Sequence, residues 1–162
     1  MIDAIDRKLL ELLQADSRIS NQDMAQAVGL TASSVFERVK KLEQKGVILG
    51  YGARVDPGLL GKGLLAFVRL SFGTTGSESS KEAMAAIEAL CKSEPDILEC
   101  HDVAGEDCLV LKIRAADTKS LQSLLAAVRD RAQSSRTVTN IVLSTLKEAT
   151  AVAPAELGES ED

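Results

Sequence analysis

The sequence predicts an α+β protein in which three helices precede a βαββαβ domain. Apolar residues recur at helical spacing up to residue 45, and from residue 47 onward β-prone segments alternate with two further helical segments. A glycine-rich stretch, 57–63, separates the two patterns. With 162 residues, 45% of them apolar and 27% charged, the chain has room for two small domains.

Each N-terminal helix is predicted from one apolar stripe and one capping residue. Asp3, Ser20 and Thr31 are the candidate N-caps, because a short oxygen-bearing side chain can accept the free N–H groups of a first turn. Gly46 suits the left-handed position that ends the third helix. The stripes are Ile5, Leu9, Leu12 and Leu13 in the first helix, Met24, Ala25 and Val28 in the second, and Val35, Val39 and Leu42 in the third.

The rest of the chain is predicted to run strand, helix, strand, strand, helix, strand. We expect a helical domain over 1–50, a hinge strand and linker over 51–63, the βαββαβ domain over 64–147 and a disordered acidic tail over 148–162. The predicted strands are Leu64–Phe72, Ile97–Val103, Leu109–Arg114 and Thr137–Leu146, and the apolar helix faces are Ala83, Ile87, Leu90 and Cys91, then Leu121, Leu124, Leu125 and Val128.

Two helices can cover only one face of the predicted four-stranded sheet. The other face still carries apolar positions, Leu65 and Phe67 among them. Because an exposed apolar face tends to be covered by a partner, the sequence predicts self-association.

Charge is distributed unevenly between the two domains. The net charge is −5, yet residues 1–62 carry nine basic and eight acidic side chains, whereas 63–162 carry ten basic and sixteen acidic ones. Only the first region is therefore suited to face phosphates.

The second and third helices, with Gly29 between them, have the pattern of a helix-turn-helix, which lays one helix in the major groove of DNA. Serines near the start of the third helix could approach base edges, Arg38 could reach guanine, and the lysines suit phosphate contacts. An ordinary solvated helix face would have the same pattern, so both interpretations stay open at this point. The candidate DNA-binding residues are Ser33, Ser34, Glu37, Arg38, Lys40 and Lys41.

Catalysis, metal binding and membrane insertion find little support in the sequence. His101 is the only histidine, and its neighbour Cys100 should point to the opposite face of a strand. No C-x-x-C pair and no glycine-rich phosphate loop is present, so we expect no metal, no cofactor and no enzyme activity. Asp3 and Asp6 stand where a signal peptide would be apolar, and we expect a cytoplasmic protein.

Short motifs with a recognisable order occur in both halves of the chain: Ile5-Asp6, Asp16-Ser17-Arg18-Ile19-Ser20, Val28-Gly29-Leu30-Thr31, Glu37-Arg38-Val39-Lys40-Lys41-Leu42-Glu43, Gly46-Val47-Ile48, Gly50-Tyr51, Asp56-Pro57, Glu99-Cys100-His101, Ala104-Gly105 and Thr137-x-Thr139. Over roughly residues 2–148 these motifs resemble the Lrp/AsnC (feast/famine) family of transcription regulators. The resemblance implies a winged helix-turn-helix, a hinge strand and a ferredoxin-like (RAM-type) βαββαβ domain that binds an effector and mediates oligomerisation. It also implies dimers that commonly assemble into octamers and bind amino acids or related metabolites.

The same resemblance implies an effector site at the turn between the second and third strands. It assigns Gly105, Glu106 and Asp107 to that turn and sets Thr137 and Thr139 facing it. The two threonines share one face of a strand, although threonine is also simply a good strand former. The family often has an aromatic residue where this chain has Cys108.

These observations predict a DNA-binding transcription regulator modulated by a small metabolite, most simply an amino acid. A homodimer, assembling further to an octamer, would present two recognition helices to a palindromic double-stranded operator. The alternative is a ligand-binding oligomerisation module that does not regulate DNA, which the acidic net charge keeps open.

Overall fold

The computed structural model describes residues 2–72, 78–132, 136–148 and 151–152, with the side chains of 78–80 excepted. The chain forms two units. The first comprises residues 1–54 together with 146–162, and the second comprises 55–145. The break after residue 54 falls within the predicted hinge, 51–63.

Among its described residues, the first unit contains three helices, α1 (Ala4–Ala15), α2 (Asn21–Val28) and α3 (Ala32–Gln44). All three predicted N-caps are confirmed: Asp3, Ser20 and Thr31 each accept a backbone N–H three residues ahead. Gly46 directly follows Lys45, the C-cap residue of α3, and its φ of 68° is the predicted left-handed conformation. The helices enclose a small core of Leu9, Leu13, Met24, Ala25 and Val35.

The second unit is a four-stranded antiparallel sheet with two helices, in the predicted βαββαβ order. The strand order is β2-β3-β1-β4. The elements are β1 (Leu64–Ser71), α4 (Glu78–Ser93), β2 (Ile97–Asp102), β3 (Leu109–Ala115), α5 (Thr118–Ala132) and β4 (Arg136–Ile141).

Alternation along the strands gives the sheet a helix-covered face and an open face. In β1, Val68 and Leu70 are fully buried in a core that includes residues of α4 and α5. Phe67 and Arg69 alternate with these two residues along the strand and so point to the open face. Of the two apolar positions predicted on the open face, Phe67 is 38% exposed but Leu65 is buried. The segment that follows β4 lies next to Leu65: the Val142 N–H donates to the Leu65 carbonyl at 2.9 Å.

Two predicted strand segments differ from the structure. The segment 51–63, predicted as a hinge strand and linker, forms no strand within the described chain, because no described segment pairs with it. The last strand ends at Ile141 rather than Leu146, and beyond it Leu143 and Leu146 are 98% and 96% exposed.

The predicted tail is described only at residues 148, 151 and 152, while 149–150 and 153–162 lie outside the described residues. Val152 exchanges two hydrogen bonds with the Gln14 side chain: its N–H donates at 2.7 Å and its carbonyl accepts at 3.0 Å. That contact with α1 lies within the first unit and was not predicted from the sequence.

Candidate recognition helix and effector turn

The start of α3 is organised around one hydroxyl. Thr31 Oγ1 accepts the Ser34 N–H at 3.2 Å and lies 3.0 Å from Ser33 Oγ and 2.9 Å from Ser34 Oγ. Both serines are exposed. The cap of the helix and the polar groups predicted to approach DNA therefore form one cluster at its N-terminus.

Arg38, which was expected to point outward from α3 and reach guanine, does not lie on the outer face of that helix. Its guanidinium Nη1 donates to Asp3 Oδ2 at 2.6 Å and to Asp6 Oδ1 at 2.8 Å, and 32% of its side chain is exposed. Arg38 follows Val35 by three residues and precedes Leu42 by four, so it borders the buried stripe. The prediction of an outward Arg38 is therefore wrong, because the carboxylates of α1 hold its head group.

The pKa values follow from this ion pair. The hydrogen bonds from Arg38 to Asp3 and Asp6 raise the pKa of the guanidinium. The pKa of Asp3 is lowered, first by the Asp6 N–H that its carboxylate accepts and then by Arg38. Asp3 thus joins the N-cap of α1 to the middle of α3.

The remaining candidates form the exposed outer face of α3: Glu37, Lys40 and Lys41 are all exposed. Lys40 Nζ lies 6.0 Å from the centre of the Phe36 ring, which is itself 50% exposed. Phe36 was missed by the sequence analysis, although an exposed aromatic ring within a polar helix face is a usable signal.

A cavity of about 450 Å³ opens beside α3, next to Phe36 and Lys40. Tyr51 lies on its rim, and the Tyr51 hydroxyl donates to Glu43 Oε1 at 2.8 Å. Partial burial and the Glu43 carboxylate raise the pKa of Tyr51 to about 12. Tyr51 therefore stays a neutral donor and attaches the segment after α3 to that helix.

Residues 103–108, hereafter the effector turn, connect β2 and β3. The Val103 N–H donates to the Cys108 carbonyl at 3.0 Å, and the Cys108 N–H donates to the Leu70 carbonyl at 2.8 Å. Gly105 has a φ of 151°, a conformation that other residues rarely adopt. These bonds fix both ends of the turn, while Gly105 and Glu106 at its tip are exposed.

Asp107 is attached to β1 by two side chains. Ser71 Oγ donates to Asp107 Oδ1 at 3.1 Å, and Arg69 Nη1 lies 3.3 Å from Asp107 Oδ2. The same hydroxyl lies 3.2 Å from the Glu106 carbonyl. Asp107 was expected at this turn from the sequence, whereas Arg69 and Ser71 were not, because their proximity to it depends on the register between β1 and β3.

A cavity of about 530 Å³ lies between the effector turn and α4. Its apolar wall includes Phe72, Met84 and Cys108, and Asp107 stands at its rim together with Gly105. A site with one apolar wall and a few charged groups can hold an amphipathic small molecule.

Thr137 and Thr139 do not face Asp107 in this chain. Thr137 pairs with Leu70 and Thr139 with Val68, so both threonines lie on the helix-covered face of the sheet. Asp107 instead contacts Arg69 and Ser71, which belong to the open face. The predicted joint site of two hydroxyls and one carboxylate is therefore not assembled within a single chain.

Cys100 and His101 point to opposite faces of β2, as the sequence predicts: Cys100 pairs with Leu111 and His101 with Val110. Burial, and next the neighbouring Cys91, raise the pKa of the Cys100 thiol to about 12, so this thiol stays protonated. His101 is exposed, with Nε2 3.3 Å from Glu99 Oε2. Among the described residues no three His, Cys, Asp or Glu side chains are arranged to hold a metal ion.

Two family models match the chain in sequence. A winged helix-turn-helix DNA-binding model matches residues 2–48, and the Lrp/AsnC ligand binding domain model matches residues 65–152. Within the part of the chain that the structure describes, no helix is long and apolar enough to cross a membrane.

Relatives of the chain carry both parts. The leucine-responsive regulatory protein of Haemophilus influenzae is 42% identical over 124 residues, covering 76% of this chain and 72% of that protein. The HTH-type transcriptional regulator LrpA of Mycobacterium tuberculosis is 36% identical over 89% of this chain and 91% of its own length. A solved feast or famine regulatory protein from M. tuberculosis, complexed with L-methionine, superposes with a TM-score of 0.83 at 34% identity, over 95% of this chain and 100% of that one.

The family models and the relatives match both the helix-turn-helix built on α2 and α3 and the βαββαβ domain with its effector turn. The chain therefore belongs to the Lrp/AsnC family of DNA-binding transcription regulators.

Proposed function

We propose that this regulator binds DNA through the outer face of α3 and that an amino acid bound at the effector turn modulates this binding. The observation that carries the proposal is the exposed polar face of α3, with Lys40 and Lys41, in a chain that also has a ligand-binding module. The L-methionine complex of the M. tuberculosis relative supports an amino acid as the effector class.

On the DNA side, Lys40 and Lys41 contact phosphates, while Ser33, Ser34 and Glu37 approach base edges in the major groove. Arg38 has a different task in this proposal. Its two ion pairs with α1 set the orientation of α3, so it positions the reading face without reading a base.

We propose that the working form is a homodimer at a palindromic operator. Large apolar side chains are exposed in both units, which supports burial against a second copy. Two recognition helices related by a two-fold axis would enter successive major grooves roughly 34 Å apart. Assembly to an octamer stays a prediction. The exposed apolar side chains include Leu49, Leu59, Leu60, Phe67, Leu143 and Leu146.

DNA binding is tested by selecting operators from random duplexes and titrating the best one at several salt concentrations. Each phosphate contact contributes about 0.9 to the negative slope of log K against log salt. Lys41→Ala should lower the slope by about this amount, whereas Lys119→Ala, an exposed lysine on α5, should leave it unchanged.

Effector binding is tested by measuring the melting temperature of the full chain with each of the twenty amino acids, since a ligand of the native state raises it. The amino acid that stabilises the chain should also change operator affinity. Stabilisation by an amino acid without any salt-dependent DNA binding would favour the alternative function, an oligomerisation module that binds a ligand but does not regulate DNA.

A further inference from the structure

Arg69 occupies an unusual place on the open face of the sheet. It stands in β1 between Val110 on β3 and Val138 on β4, its cross-strand neighbours on the same face. Both valines are partly buried, so they can shield the aliphatic stem of Arg69. The guanidinium lies beside the effector turn, with Nη1 3.3 Å from Asp107 Oδ2.

The bonding of this guanidinium is incomplete. A charge-assisted N–H···O bond between a guanidinium and a carboxylate is typically about 2.7–2.9 Å long, and the contact to Asp107 is longer. The Arg69 Nε atom is buried and has no hydrogen-bond partner within the described residues. Buried N–H donors in proteins are normally hydrogen-bonded. The guanidinium of Arg69 can therefore donate to a further acceptor after a small shift of its side chain.

We propose that Arg69 binds the α-carboxylate of the effector while Asp107 binds its α-ammonium group. This inference rests on the proposed function, because it assumes that the effector turn binds an amino acid. Both charged groups of an α-amino acid are attached to one carbon, so the receiving side chains must also be adjacent and opposite in charge. Arg69 and Asp107 meet both conditions, and Ser71 holds the second oxygen of Asp107 in place.

The proposal defines the ligand class at this site. A free α-amino acid satisfies both charges, whereas an amine, an amide or a carboxylic acid without an amino group satisfies only one. If Arg69 served only to position the effector turn, its loss would weaken all of these ligands to the same degree. The contrast between ligands therefore distinguishes a binding residue from a positioning residue.

The experiment is isothermal titration of the full chain with L-methionine and with L-methioninamide, which lacks the carboxylate. If another of the twenty amino acids binds the wild type more tightly, that amino acid and its amide are used. The wild type should prefer the free acid by about tenfold or more, since a charged hydrogen bond is lost with the amide. Arg69→Gln should reduce this preference to near one, mainly by weakening the free acid.

Arg114→Gln is the matched control, because Arg114 lies on the same face of the sheet at the far end of the β1–β3 pair, opposite Leu65. It should keep the wild-type preference. Arg69→Lys preserves the charge without the planar fork and should give an intermediate preference. It also provides a second reading if Arg69→Gln melts below the assay temperature.

Asp107→Asn gives the reciprocal test with 4-(methylthio)butanoic acid, which lacks the ammonium group. This variant should lose the preference for methionine over that acid and keep the preference for methionine over its amide. An undiminished preference for the free acid in both Arg69 variants overturns the assignment of Arg69 and leaves the proposed function standing. Failure of the wild type to bind any of the twenty amino acids overturns the amino-acid effector, and this inference with it.

Discussion

Each unit of the molecule contains an arginine beside carboxylates, and the two arrangements differ. In the first unit, Arg38 contacts Asp3 and Asp6 at 2.6 and 2.8 Å and joins two helices. In the second, Arg69 has one contact of 3.3 Å to Asp107 and a buried Nε without a partner in the described chain. Short bonds to two partners are typical of a structural cross-link, whereas a long single contact leaves bonding capacity for a ligand.

The largest expected effect is on stability, and it tests the first half of the comparison. Arg38→Ala should lower the free energy of unfolding by about 1–2 kcal/mol, because Asp6 is left largely buried without its cation and solvent screens only the exposed part of the pair. Arg69→Ala should change it by less than about 0.5 kcal/mol. Urea denaturation of both variants measures the difference, and equal losses would remove the distinction between the two arginines.

Salt dependence of DNA binding separates positioning from phosphate contact. Arg38→Gln should weaken operator binding while leaving the slope of log K against log salt unchanged, because Arg38 faces α1 and we propose that it positions α3 without contacting a phosphate. Lys41→Gln on the outer face should lower that slope by about 0.9. A reduced slope for Arg38→Gln would return Arg38 to the DNA-contacting residues.

Acid should weaken the first unit through Asp3. The pKa of Asp3 is lowered from 3.8, so its contribution to stability is fully present above the unfolded value and is lost as the pH falls through the lower folded value. Asp3→Asn should therefore flatten the dependence of stability on pH below about 4. Arg38→Ala should flatten it only in part, since the Asp6 N–H is the larger cause of the shift. Chemical denaturation across this range is the measurement, and an unchanged profile in Asp3→Asn would contradict the assignment.

The smallest expected effect on ligand binding concerns Ser71. Ser71→Ala removes one hydrogen bond to Asp107 and should cost about 0.5–1 kcal/mol of stability. It should weaken L-methionine binding only about two- to fivefold, because Asp107 keeps its carboxylate and its contact with Arg69. The loss should be alike for methionine and its amide, which calorimetry can check. A selective loss of the free acid would assign carboxylate binding to Ser71 as well.

Local features of the fold could be predicted from the sequence, and features that depend on register could not. The caps Asp3, Ser20 and Thr31 depend on residues within one turn, so a short window suffices to identify them. The face on which Thr137 and Thr139 lie depends on pairing with Leu70 and Val68, and a shift of one residue would reverse it.

The two arginines illustrate the same limit at the candidate site. The position of Arg38 beside Val35 and Leu42 was available from helical spacing, but its partners lie on another helix, more than thirty residues away in sequence. Arg69 reaches Asp107 only because β1 pairs with β3 and the Cys108 N–H bonds to Leu70. Strand alternation alone places Arg69 on the open face without indicating that partner.

The hydrogen bonds between Val152 and Gln14 have a practical consequence for dissecting this regulator. The first unit includes residues on both sides of the second unit in sequence. A chimera that keeps the first unit intact must therefore retain residues from both ends of the chain, and not only an N-terminal fragment. A chimera that transfers only residues 1–54 would leave Gln14 without its main-chain partners. Replacing the second unit between residues 54 and 146 would keep those bonds, so an effector module from a relative is better inserted than appended.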